Sequence, residues 1–215
     1  MIKENGEERA GTLDLVGGAV CLDFVNTVGD HNAAQPDEYL TSYAALVAWS
    51  EHTGLIAPRA ARQLLQEAAR RPAEAEQTRV RAIALREALY RIFSAIAADA
   101  KPKTVDMDLL NAHLAEALAH QQIVSAENAF RWDWTTATGA LDLMLWPIAR
   151  SAADLLTADK LAQVRECSGE TCGWLFVDVS KNHSRRWCSM SDCGNRAKVQ
   201  RFNARKRATP KRTRR

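Results

Sequence analysis

The sequence predicts a mainly α-helical fold: an N-terminal multi-helix domain with a small β-hairpin, followed by a small treble-clef-like module closed by four cysteines. Three observations carry this. Apolar residues recur at three- and four-residue spacing through most of the first 157 residues, the period of helices buried along one stripe. Two C-x4-C pairs then fall within 27 residues of chain. The length of 215 residues, 47% of them hydrophobic and 26% charged, suits one medium domain plus a small module.

The elements follow in order. Gly17-Gly18 precedes AVCLDFVNTVGD, a short helix with Ala19, Leu22, Phe24 and Val25 inward, ended near Gly29-Asp30. Cys21 on this helix reads as a small core residue. A loop through Pro36 leads to a second helix over 39–52, burying Leu40, Tyr43, Leu46, Val47 and Trp49 and stopped by Gly54. Pro58 suits the first turn of a third helix, which runs to about Arg71. The longest periodic segment, 73–100, sets Val80, Ile83, Ala84, Ala88, Leu89, Ile92, Phe93 and Ile96 along one stripe. Lys101-Pro102 breaks it, and Asp106 or Asp108 opens the next helix, with Leu109, Leu110, Leu114, Ala117 and Leu118. Ile123-Val124 and the run 130–134 flank a polar turn and form the hairpin. A helix returns over 141–156, kinked at Pro147. Beyond it, 160–165 and the β-prone WLFVDVS are extended, and from Asp192 the pattern is helical and basic through about Arg207. Three regions result: a helical domain over 13–157, a cysteine module over 158–207 and a basic tail over 208–215.

The net charge of +3 hides an asymmetry. Residues 181–215 carry thirteen Lys and Arg against one acid, Asp192, a local balance of +12 that leaves residues 1–180 at −9. An acidic body with a basic end points to a polyanionic partner for that end, most often nucleic acid. The polar start lacks the apolar core of a signal peptide, and no run of about 18 apolar residues exists to span a bilayer. A cytoplasmic location is expected, where thiols stay reduced and clustered cysteines indicate metal rather than disulfides.

Cys167 and Cys172 form one C-x4-C pair and Cys188 and Cys193 another, with fifteen residues between them. Four soft thiolates suit one tetrahedral Zn2+, and with no position left open for water the ion is structural. Gly169 and Gly173 ease the tight first knuckle. A module of about fifty residues is too small to rely on its own core, so metal binding becomes folding energy. On this reading chelation unfolds 160–207 and leaves most helical signal intact. His183 falls outside both pairs and reads as an exposed turn residue.

The run CSGETCGWLFVDVSKNHSRRWCSMSDCGNRAKVQRFNARKR resembles a CGNR zinc finger, named for the tetrapeptide found here as Cys193-Gly194-Asn195-Arg196. Both cysteine pairs, the WLF strand, the RRWCSM lead-in and the CGNRAK helix start carry the resemblance, which covers about 167–207. VCLDFVNTV (20–28) and LVAWSEHTGL (46–55) resemble stretches of the ABATE domain, which usually accompanies this finger in stress-induced bacterial transcription regulators. The resemblance implies a DNA-binding finger and a helical partner domain open to a sensor role. His183 departs from it, standing where a glycine or a basic residue is more usual.

The residues support the same reading. On a helix from Asp192, the positions Asn195, Val199 and Phe202 share a side, and burying them against Trp174, Phe176 or Trp187 leaves Arg196, Gln200, Asn203 and Arg207 on one flank. Lys198, Arg201 and Arg205 then line the other, with Arg185 and Arg186 added from the hairpin. Arg and Lys neutralise phosphates, while Gln and Asn pair with an adenine edge. Double-stranded DNA is the expected partner, because Trp174 and Trp187 read as core and leave no paired aromatic platform for RNA. The alternative is an RNA-associated or protein-interaction zinc module with a basic electrostatic anchor. Neither a membrane nor an enzymatic role is expected: no nucleophile elbow, P-loop or H-E-x-x-H helix occurs. His113, Glu116 and His120 share a helix face and read as solvated. Asp23, Asn26 and Thr27 sit in an apolar segment, where they either satisfy local backbone or line a pocket for a small-molecule effector. Oligomeric state is left open.

Overall fold

In the computed structural model, which describes residues 9–127, 129–135 and 139–208, the chain is mainly helical with small two-stranded ribbons, as its periodicity predicts. The elements are α1 (Val20–Val25), β1 (Val28–Gly29), β2 (Asp37–Glu38), α2 (Tyr43–His52), α3 (Pro58–Arg70), α4 (Pro72–Ala97), α5 (Thr104–Ala119), β3 (Gln121–Ala126), β4 (Ala129–Trp134) and α6 (Leu145–Leu156). A 3-10 turn (Asp159–Gln163), β5 (Val164–Glu166), β6 (Leu175–Val177), a widened turn (Met190–Gly194) and α7 (Asn195–Ala208) complete them. Each strand pairs antiparallel with its neighbour in sequence, and β3–β4 sets Ile123 opposite Trp132 and Ser125 opposite Phe130.

Local chemistry explains where these elements begin. Helix α2 starts four residues later than its apolar pattern predicts, because the Ser42 hydroxyl accepts from the Ala45 N–H at 3.0 Å and caps it. Pro58 and Pro72 sit in first turns, where a missing N–H is harmless. Pro147 does the same in α6, which begins at Leu145, so the expected kink is absent. Asp106 does not cap α5; it is buried and takes a forked pair from Arg91 at 2.6 and 2.9 Å.

Helix α4 buries Ala75, Thr78, Ala82, Leu85, Leu89, Ile92 and Phe93, and leaves Val80 and Ala84 exposed. The expected stripe was thus rotated at its N-terminal end. The same core holds Leu22, Phe24, Leu46, Trp49, Met144 and Ile148, with Phe24 and Trp49 rings 5.3 Å apart. Val164, Leu175 and Val177 belong to the same core, so the strands that flank the first cysteines pack into the helical part. A second, smaller cluster holds the four cysteines and Phe176, with Val16, Trp174 and Trp187 at its edge. No helix among the described residues is long and apolar enough to cross a membrane.

Arg86 is the polar centre of the large core. Its guanidinium is buried and forks onto Glu38 at 2.7 Å for both bonds, ties α4 to β2, and also meets Glu87 and the Thr27 carbonyl. Removing one partner of such a pair leaves charge in a dry place. Glu38→Ala is expected to lower stability by about 3 kcal/mol, at the low end for a buried pair because Glu87 remains. Urea unfolding followed by circular dichroism measures it; a change within about 0.5 kcal/mol, typical of surface sites, refutes it.

Candidate metal centre and nucleic-acid interface

The cysteines are brought together by short backbone devices. Strands β5 and β6 deliver Cys167 beside Trp174, whose carbonyl accepts from the Cys167 N–H at 2.8 Å. Between them the knuckle turns tightly, the Cys172 N–H reaching the Gly169 carbonyl at 3.3 Å. A Cβ on Gly169 would stand 3.0 Å from the Cys172 Cβ and 3.3 Å from the Cys193 Sγ, so any side chain there would crowd the thiols. Gly173 has φ +68°, the left-handed region that side chains disfavour. The turn after β6 is closed by Asp178, whose carboxylate accepts from the N–H groups of Ser180 and Arg185 at 2.9 Å each. His183 lies in this turn, its ring against the Asp178 carbonyl at 2.9 Å and away from the thiols.

All four sulfurs lie within 4.8 Å of one another, and all four residues are buried. Cys172 and Cys193 each stand 3.6 Å from Cys188. A tetrahedron of sulfurs about 2.3 Å from a central ion has edges of about 3.8 Å, so the quartet fits zinc. Charge gives the same answer. Donation from Cys172 and Cys188 pulls the Cys167 thiol down, while contact with Cys167 pushes Cys172 and Cys188 up. Four thiols this close ionise together only around a cation. Zinc in such a site would organise the module, with no position for a reacting water. The fifth cysteine, Cys21, is buried in the helical core, which pushes its thiol up to about 12.

The helical part grips this knuckle. The N–H groups of His31 and Asn32 donate to the carbonyls of Cys172 and Thr171, at 3.0 Å each. Thr171 donates to Asp30 at 2.7 Å, and the Trp174 indole donates to the Val28 carbonyl at 2.7 Å. Asn26 forks onto the backbone of Leu175, donating to its carbonyl and accepting from its N–H at 2.9 Å each. Thr27, also buried, donates to the Phe24 carbonyl at 2.7 Å, and Asp23 accepts from the Gly17 N–H at 2.7 Å. The side chains of all three residues are thus hydrogen-bonded to backbone.

The last helix faces the other way from its expected orientation. Val199 and Phe202 are 57% and 65% exposed, and Asn195 is exposed as well. Helix α7 is anchored through Cys193 and Ala197, one turn apart, and Gln200 follows on that side, its amide 3.5 Å from Glu170. Arg196 turns inward too, donating to the Cys193 Sγ at 3.1 Å and to Asp192 at 3.1 Å. Its positive charge offsets part of the negative charge of the thiolates. Arg185 is a strut: its guanidinium lies 4.1 Å from the centre of the Phe176 ring and donates to the carbonyls of Trp187 and Cys188. Arg186 and Arg201 are exposed over the faces of Trp187, at 5.3 and 5.9 Å. Lys198, Asn203 and Arg205 are exposed on the outer surface of α7. The side chain of Arg207 and the tail 209–215 lie outside the described residues.

The polar trio of α5 does not converge. His113 is buried, which lowers its pKa; Glu116 pairs with Arg81 at 2.6 Å; His120 stacks on Trp146 at 4.0 Å. The quartet is the metal-ligand cluster found among the described residues. What sequence reasoning missed is the supporting role of Arg185 and Arg196, and its signal was their position, within three residues of a cysteine.

Comparison with known proteins bears on both halves. Residues 18–159 match the ABATE family model, described as "putative stress-induced transcription regulator", and residues 163–206 match the CGNR zinc-finger model. Neither description is that of an enzyme. No curated protein matches the chain. With the first model spanning most of its length and the second spanning the thiol quartet of one structural zinc ion, the chain belongs to the ABATE family and carries a CGNR zinc finger.

Proposed function

We propose that this protein is a zinc-dependent transcription regulator of a bacterial cytoplasm that binds double-stranded DNA through its finger, with Cys167, Cys172, Cys188 and Cys193 as the zinc ligands. The observation that carries the reading is the outer surface of α7, where Lys198, Asn203 and Arg205 are exposed on a helix anchored at its start by a cysteine of the cluster, with Arg201 exposed beside Trp187. A helix fits the major groove, and cations on its shoulders reach the phosphates. Arg186 extends the basic surface. Gln200 and Arg196, though exposed, reach back toward the knuckle, which leaves Asn203 as the amide on the outer surface placed to read a base.

Gel retardation of a duplex against competitor DNA, across salt concentrations, tests this. Lys198→Ala is expected to weaken binding to all sequences alike and to reduce the magnitude of the salt slope by about one, the mark of a lost phosphate contact. Gln200→Ala is expected to leave base preference unchanged. Retention of RNA in preference to duplex DNA would favour the RNA-associated alternative instead. For the helical domain, a sensor role is supported by a cleft of about 380 Å³ lined by Trp134, Pro147, Leu155, Arg150 and Lys160. Its apolar floor suits a small apolar effector, and at its edge Arg150 is paired with Asp154 at 2.8 Å.

A further inference from the structure

An exposed valine and phenylalanine at the centre of a basic helix face call for a physical reason. Val199 and Phe202 are one turn apart and stand opposite Cys193 and Ala197, which fix the inner side of α7. Lys198 and Arg205 flank them on one shoulder, Asn203 lies on the other, and Lys206 falls between. Water solvates the cations well and the two apolar side chains poorly. The partner that suits this face is therefore apolar at its centre and anionic along the edge that meets Lys198 and Arg205.

Resting on the reading that the finger binds double-stranded DNA, we infer that Val199 and Phe202 pack against thymine 5-methyl groups in the major groove. The methyl is the apolar group that base pairs display on that floor, and an apolar side chain distinguishes it where a hydrogen bond cannot. The phosphates along one wall supply the anionic edge for Lys198 and Arg205. Asn203, beside Val199 on the helix surface, is placed to take the adenine of the same or the next pair, since an amide fits adenine N6 and N7. The face as a whole thus selects A·T pairs. A membrane suits it less well, because an apolar stripe two residues wide is narrow for an interfacial helix.

Full-length, zinc-loaded protein is titrated with a short duplex of alternating A and T and with the same duplex carrying uracil for every thymine. Uracil keeps the charge and the hydrogen-bonding groups and removes only the methyl. Wild-type protein is expected to bind the uracil duplex roughly three- to tenfold more weakly, the effect of one or two buried methyl groups. Phe202→Ala and Val199→Ala are expected to shrink that ratio toward one, while Phe202→Leu keeps part of it; zinc content confirms that each variant is folded. Equal wild-type affinity for the two duplexes overturns the inference and leaves DNA binding intact. So does a ratio that survives in both alanine variants, which would trace it to duplex shape, or a change in oligomeric state on Phe202→Ala, which would assign the pair to a second copy. Failure to bind any duplex overturns the DNA-binding reading itself, and this one with it.

Discussion

Stripping zinc from the intact protein is expected to lower its thermal midpoint by at least about 10 °C and to reduce the helical signal, not merely to loosen the finger. A structural zinc contributes an apparent binding free energy on the order of 10–16 kcal/mol in small modules, comparable with the whole stability of a domain. In an isolated finger that loss stays local. Here Val164, Leu175 and Val177, which bracket the first two cysteines, are part of the helical core. The loop 26–32 is pinned to the knuckle backbone at Thr171, Cys172 and Leu175. Once the thiols part, these strands lose their anchor and the core loses three buried side chains. A cost of about 3 kcal/mol already corresponds to roughly 6–12 °C in a chain of this size. Chelation followed by circular dichroism and a melting scan reads the effect. An unchanged melt of the helical signal in protein shown to be metal-free would mean that the two halves unfold independently, as the sequence alone suggested.

What the sequence revealed and what it hid have different physical origins. The zinc quartet was legible because its ligands recur at fixed short spacing, and the hairpin because strands and turn are contiguous. The orientation of α7 was not legible from apolar patterning, because the strongest anchor on that helix is a thiolate. Counting turns from Cys193 gives Ala197 and Gln200 as the inner side, whereas counting from Val199 and Phe202 gives the opposite face. Arg86 escaped notice for a similar reason: a buried cation inside an apolar stripe breaks the periodicity that locates cores. The seam between the halves was also hidden, since Asn26 and Leu175 meet across 149 residues of sequence.

Asn26→Ala tests that seam directly and is expected to destabilise the zinc-loaded protein by about 3–5 kcal/mol. The side chain is 2% exposed, and its amide satisfies both backbone groups of Leu175, itself fully buried. Alanine leaves that N–H and that carbonyl in a dry place without partners, at about 1–3 kcal/mol each. Aspartate is not expected to rescue: its carboxylate can accept from the Leu175 N–H but meets the Leu175 carbonyl with a second acceptor. Glutamine carries the right amide on a stem one carbon too long for a packed site. Urea unfolding gives the free energy, and the rate of zinc transfer to a chelator gives the coupling, which should rise in the same variant because the knuckle loses a brace. A pocket role for Asn26 predicts the opposite pattern, stability within about 0.5 kcal/mol of wild type with a lost ligand response. A loss below about 1 kcal/mol, with unchanged zinc release, would show that the shared core alone joins the two halves.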